Sequence, residues 1–138
     1  TLGINGIVES AEFLGHTISN NKDYKDYVIS VLSTFKNMNT EASKKYGVKF
    51  NTEIVPAENL GVKNAKWDQA DGYFVPRDCY NSYFYVVEGD ENFVEKFELH
   101  GKEYNEYLDG GSALHLNLEE ALTPKQFGKL LDLAASVN

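Results

Sequence analysis

The feature that most constrains this chain is a strand that runs into a proline and then directly into a helix. The sequence FNTEIVPAENLGVKNAKWD covers residues 50–68. Over residues 48–55 apolar and polar side chains alternate, which is the period of a strand with one buried face. Pro56 has no backbone N–H and closes the strand, and residues 57–70 are compatible with a helix that Gly61 loosens. The pattern therefore predicts a helix that begins immediately after a strand.

The start of this helix presents backbone N–H groups that have no acceptor within the helix. They belong to Ala57, Glu58, Asn59 and Leu60, and unpaired donors of this kind bind anions such as phosphate. The alternative is that the side chain of Glu58 or Asn59 satisfies the same donors. The local pattern by itself favours this self-capping and leaves phosphate binding open.

The remaining segments predict helices and strands in alternation. Helices are expected over residues 5–14 with Asn5 as the cap, over residues 22–46, and from Thr123 as N-cap with Pro124 in the first position. Strands are expected over residues 82–87 and 113–118, and residues 92–107 are ambiguous because Gly101 interrupts a helical pattern. This order favours one α/β domain with about three to four strands, an incomplete sheet.

A glycine-rich turn precedes the strand predicted over residues 113–118. Gly110, Gly111 and Ser112 allow either a tight turn or the close approach of a ligand, and they lack the lysine register of a P-loop. His115 and Asn117 alternate with leucines and share the polar face. That face points at water, a polar cavity or a ligand.

Composition excludes several function classes. Thirteen basic against 21 acidic side chains give a net charge of −8, which would repel nucleic acid. No apolar run has the length of a membrane span, and residues 1–15 lack a secretion signal. Cys79 is the only cysteine, and His16, His100 and His115 match no metal-binding spacing. We expect a cytoplasmic protein with no metal site and no catalytic residue of its own.

Four blocks of the sequence closely resemble the anaerobic, class III ribonucleoside-triphosphate reductases. They are GINGIVESAEFLG at 3–15, FNTEIVPAENLGVKNAKWD at 50–68, DGYFVPRDCYNSYFY at 71–85 and HGKEYNEYLDGGSALHLNLEEALT at 100–123. The resemblance implies a segment of a ten-stranded α/β barrel from a glycyl-radical enzyme that reduces ribonucleoside triphosphates to deoxyribonucleoside triphosphates. It also implies a homodimer, a structural zinc, and a glycyl radical installed by an S-adenosylmethionine/iron–sulfur activase.

The resemblance makes residues 1–138 one fragment of the catalytic barrel domain. The fragment would lack the half with the thiyl cysteine, the zinc site and the glycyl-radical loop, and it would be inactive alone and prone to self-association. Cys79 matches none of the family's functional cysteines.

The resemblance also reverses the order of the two interpretations of the helix start, because the junction at residues 56–59 would receive the substrate phosphates. The strand at 113–118 would lie near the radical loop. The expected substrate-binding residues are Pro56, Ala57, Glu58, Asn59, Leu60, Gly110, Gly111, Ser112, His115 and Asn117. The alternative function is a stand-alone nucleotide- or anion-binding module without catalysis.

Overall fold

The computed structural model describes residues 1–89, 92–118 and 120–137 and combines a small sheet with helices. Its elements in chain order are β1 (Leu2–Ile4), α1 (Ile7–Phe13), α2 (Lys22–Tyr46), β2 (Thr52–Ile54), α3 (Glu58–Ala70), α4 (Phe93–Leu99), α5 (Lys102–Asn105) and α6 (Pro124–Val137). β1 and β2 pair in parallel, with Leu2 opposite Thr52 and Ile4 opposite Ile54. The α1–α2 segment is the crossover that such a parallel pair requires.

Helix boundaries follow the capping signals in the sequence. The helix predicted over residues 22–46 is confirmed as α2, where the Asn21 side chain accepts the N–H of Tyr24 and Gly47 ends the helix in the left-handed conformation. The cap of α6 is also confirmed, because the Thr123 N–H donates to Oε1 of Gln126 at 2.9 Å. The ambiguous stretch at 92–107 divides at Gly101 into α4 and α5.

Two predictions near the first helix and the sheet need correction, and one strand was missed. α1 begins at Ile7 after a left-handed Gly6, because the Asn5 amide instead donates to Oγ of Ser82 at 3.0 Å. The strand predicted over 48–55 pairs only at Thr52–Ile54, since its partner β1 has three residues. β1 was not predicted, and so short a segment carries no usable periodicity.

The strands predicted over residues 82–87 and 113–118 are both wrong. Residues 82–85 form bends, and residues 113–118 have no regular secondary structure. The Tyr85 hydroxyl donates to the His115 carbonyl at 2.7 Å and accepts the His115 N–H at 2.9 Å. These two hydrogen bonds join the two segments through one side chain.

The core lies between α1, α2 and residues 82–85. Tyr24, Val28 and Leu32 of α2 are fully buried, and the Tyr24 hydroxyl donates to the Phe84 carbonyl at 2.7 Å. None of the helices in the described residues combines the length and the apolarity that crossing a bilayer requires.

The turn at Gly110 and Gly111 packs directly on β2. The Gly110 N–H donates to the Thr52 carbonyl at 2.8 Å, and the Ile54 N–H donates to the Gly111 carbonyl at 3.2 Å. A Cβ atom at Gly110 would lie 2.7 Å from the Thr52 carbonyl oxygen. The glycine is therefore required by the approach of two backbones.

We expect Gly110→Ala to lower the free energy of unfolding by about 1–3 kcal/mol, because the new methyl group pushes the turn away from β2. Urea denaturation of the 138-residue chain measures this. The matched control is Gly128→Ala in α6, where a Cβ meets nothing within 4 Å and the better helix former should stabilise by about 0.5–1 kcal/mol. Equal effects of the two substitutions would contradict the packing argument.

Candidate functional site

The first turn of α3 leaves three backbone donors open. The Ala57 N–H donates to Oγ of Ser82 at 3.1 Å, and α3 has no side-chain cap at its N-terminus. The N–H groups of Glu58, Asn59 and Leu60 have no acceptor among residues 1–89, 92–118 and 120–137. The side chains of Glu58 and Asn59 therefore do not provide the self-capping that the local pattern favoured.

The Glu58 carboxylate is held by a neighbouring tyrosine. The Tyr83 hydroxyl donates to Oε1 of Glu58 at 3.1 Å, and the Cys79 thiol donates to the Glu58 carbonyl at 3.4 Å. Burial, followed by the Glu58 charge, raises the pKa of Cys79 above its ordinary value. The thiol is therefore held in its protonated form, which is the weaker nucleophile.

A cleft of about 510 Å³ extends from Glu58 at the start of α3 to His115 and Asn117. It is lined by residues of three segments: Glu58, Arg77, Asp78, Cys79, Tyr80, Asn81, Ser82, Tyr83, Val86, Val87, Glu88, His115 and Asn117. Glu58, His115 and Asn117 are the expected site residues among them. Pro56, Ala57, Asn59, Leu60, Gly110, Gly111 and Ser112 do not line the cleft.

The far wall of the cleft presents His115 and Asn117 to solvent. Nε2 of His115 lies 3.1 Å from Oδ1 of Asn117, and the His115 ring lies 5.9 Å from the Tyr83 ring. Burial raises the pKa of Tyr85, which holds the His115 backbone, to about 12. The Tyr85 hydroxyl is therefore a neutral donor and keeps the two walls together.

Ser112 does not line the cleft and belongs to a small polar cluster. Its hydroxyl donates to Oδ1 of Asn105 at 2.7 Å and lies 3.5 Å from Nε2 of His100. The Asn105 amide also donates to the His100 carbonyl at 2.6 Å. Together with the contacts of Gly110 and Gly111 on β2, this supports the interpretation of residues 110–112 as a structural turn.

An ion-pair cluster that the sequence reasoning missed fixes the cleft wall. Arg77 donates to Glu12 through two nitrogens at 2.7 and 2.8 Å and to Glu9 at 2.7 Å. Glu9 is only 6% exposed, and it also accepts the backbone and side-chain N–H groups of Asn81. The signal available in the sequence was that Arg77 is its single arginine, with Glu9 and Glu12 one helical turn apart.

The charged side chains that line the cleft disfavour a negatively charged ligand. Arg77 is compensated by Glu9 and Glu12, while Glu58, Asp78 and Glu88 contribute carboxylates to the lining. Of the three residues with open N–H groups only Glu58 lines the cleft, so an anion would bind at the edge of the cleft, at the start of α3. In the part of the chain that the structure describes, no three His, Cys, Asp or Glu side chains are grouped to hold a metal ion.

Comparisons with known proteins agree on one group of enzymes. The family model described as anaerobic ribonucleoside-triphosphate reductase matches residues 1–138. A solved anaerobic ribonucleotide reductase is 25% identical with a TM-score of 0.86, covering 98% of this chain and 22% of its own. No curated protein matches the sequence.

Two structures of the Thermotoga maritima anaerobic ribonucleotide reductase are similar as well. One contains MES in the active site, with 25% identity, a TM-score of 0.85, and coverage of 98% of this chain and 24% of that one. The other is in complex with dATP and CTP, with 24% identity, a TM-score of 0.84, and coverage of 98% and 23%. The chain thus spans about a quarter of the length of the solved proteins that it matches.

We expect Arg77→Met to lower the free energy of unfolding by about 1–3 kcal/mol, because it leaves the buried Glu9 carboxylate without its cation. This loss is smaller than for a fully buried ion pair, because the Arg77 side chain is 25% exposed and solvent screens its charge. Urea denaturation measures the change. Lys22→Met, which removes a cation from the exposed pair with Asp26, should change stability by less than about 0.5 kcal/mol. A loss as large in this control would refute the role assigned to burial.

The pH dependence of the free energy of unfolding should include a contribution from His100. Burial lowers the pKa of His100 from its ordinary value of 6.5, so the unfolded chain takes up this proton more readily than the folded chain. The stabilisation is therefore present above pH 6.5 and is lost as the pH falls through the lowered value. Urea denaturation between about pH 7.5 and pH 5 should show a steeper decline for the wild type than for His100→Gln. Parallel declines would show that His100 does not contribute.

Proposed function

The chain belongs to the anaerobic ribonucleoside-triphosphate reductase family, and we propose that it forms part of the catalytic barrel of such an enzyme. The complete enzyme reduces ribonucleoside triphosphates to deoxyribonucleoside triphosphates in the cytoplasm. Residues 1–138 act as one late segment of the barrel domain. They supply barrel wall and the element that receives the triphosphate of the substrate.

The observation that carries this proposal is the open first turn of α3. Glu58, Asn59 and Leu60 offer three neighbouring N–H groups at the positive end of a 13-residue helix, an arrangement that binds phosphate. Glu58 also lines the cleft that His115 and Asn117 border. We propose that the phosphates lie at the helix start and that His115 and Asn117 contact the nucleoside.

The radical chemistry belongs to other parts of the enzyme. A glycyl radical would supply hydrogen-atom abstraction through a cysteine thiyl, and Cys79 does not fit that part because its thiol is engaged by the Glu58 carbonyl. The described residues also group no metal ligands that fit the structural zinc. The zinc, the radical loop, the homodimer contacts and the docking of the activase are therefore proposed to lie outside this segment.

Titration of the ¹⁵N-labelled chain with a ribonucleoside triphosphate tests the phosphate site. We expect the amide signals of Glu58, Asn59 and Leu60 to shift with the triphosphate and to stay unchanged with the ribonucleoside, because the phosphates make the contact. Affinity should be weak, with a Kd on the order of 1 mM, since most contacts of a closed barrel are missing. Submicromolar affinity would instead favour a stand-alone nucleotide-binding module.

Two substitutions at one position separate backbone from side chain. Asn59→Pro removes one open N–H within the first turn, where proline is tolerated, and should weaken triphosphate binding about threefold or more. Asn59→Ala keeps the N–H and should bind as the wild type does. Equal losses in both variants would mean that the helix start does not bind phosphate through its backbone.

A further inference from the structure

The hydrogen bond from Tyr83 to Glu58 holds an acidic side chain at the start of α3. Glu58 is the first residue of α3, so its carboxylate lies in the turn that carries the three open N–H groups. A carboxylate in this position is attracted by the positive end of the helix. If the Glu58 carboxylate were free to rotate, it would cover the open N–H groups, which is the self-capping that the local pattern favoured.

The Tyr83 hydroxyl is a rigid anchor for that carboxylate. The side chain of Tyr83 is 7% exposed, and its ring stacks on the Tyr85 ring at 5.7 Å between centroids. Tyr85 is in turn tied to the His115 backbone by two hydrogen bonds. Tyr83 is therefore fixed by contacts of its own, and its hydroxyl donates to the Glu58 carboxylate at 3.1 Å.

Ser82, the residue before Tyr83, occupies a further N–H group at the start of α3. The Ser82 hydroxyl accepts the Ala57 N–H at 3.1 Å and the Asn5 amide at 3.0 Å. Ser82 thus accepts the first N–H group of the helix start, and Tyr83 donates to the acidic side chain in its first turn. Three neighbouring N–H groups remain for which the described part of the chain offers no acceptor.

We propose that Tyr83 is a positioning residue: its hydroxyl holds the Glu58 carboxylate so that α3 does not cap itself and its first turn stays open to the oligophosphate of a nucleotide. This inference rests on the proposed phosphate site and adds the device that keeps the site free. Tyr83 itself contacts no phosphate. Its effect is exerted through the orientation of Glu58.

Amide hydrogen exchange without any ligand tests the positioning role first. In Tyr83→Phe the released carboxylate moves onto the helix start, and exchange of the Asn59 and Leu60 amides should slow about threefold or more. Tyr27→Phe is the matched control, since it also removes one bonded tyrosine hydroxyl, which lies 2.7 Å from Oγ of Ser10 in α1 and away from α3, and it should leave the exchange of both amides unchanged. Unchanged exchange at Asn59 and Leu60 in Tyr83→Phe would overturn the proposal.

Titration with inorganic tripolyphosphate then tests the consequence for binding. Tyr83→Phe should weaken binding about threefold or more, because the carboxylate competes for the donors. In the Glu58→Gln background, which has no competing charge, adding Tyr83→Phe should have little effect. An equal loss in both backgrounds would show a purely structural role and overturn the proposal.

The two tests distinguish this inference from the function on which it rests. Slowed exchange in Tyr83→Phe, combined with no response of the wild-type amides to tripolyphosphate, would support the positioning role and count against the proposed phosphate site. A tripolyphosphate response that is the same in the wild type and Tyr83→Phe would support the site and overturn the positioning role.

Discussion

The burial of residues 82–85 without a strand partner is the constraint on which the rest of the structure depends. All four residues are at most 7% exposed, and a buried backbone without ladder hydrogen bonds needs acceptors and donors from elsewhere. Tyr24 supplies a donor to the Phe84 carbonyl from the first turn of α2. Burial raises the pKa of Tyr24 above its ordinary value, so this hydroxyl keeps its proton at any physiological pH.

The same segment distributes polar groups to both walls of the cleft. Ser82 bonds to the start of α3, Tyr83 holds Glu58, and Tyr85 holds the His115 backbone. Upstream, Asn81 is anchored on Glu9 of α1 together with Arg77. The relation between the helix start and the half-polar segment at 113–118 is thus determined by one stretch of irregular chain.

Sequence reasoning succeeded where a local physical signal decides the structure. Gly47 ends α2 and the Thr123 capping box starts α6, and both signals act within a few residues. It failed at residues 82–87 because aromatic and β-branched residues indicate burial, and burial does not require strand pairing. At residues 113–118 the alternation survives in part, since His115 and Asn117 are exposed while Leu114 and Leu116 are half-buried.

The sequence by itself determined that a helix starts shortly after a strand that Pro56 closes, and that its first turn carries an acidic residue and N–H groups without an acceptor inside the helix. Only the tertiary structure decided between self-capping and an open site. The deciding contact joins Tyr83 to Glu58 across 25 residues of chain, and no local pattern encodes a contact of that range. Local periodicity reports backbone conformation, whereas the availability of a helix start depends on which distant side chain takes its carboxylate.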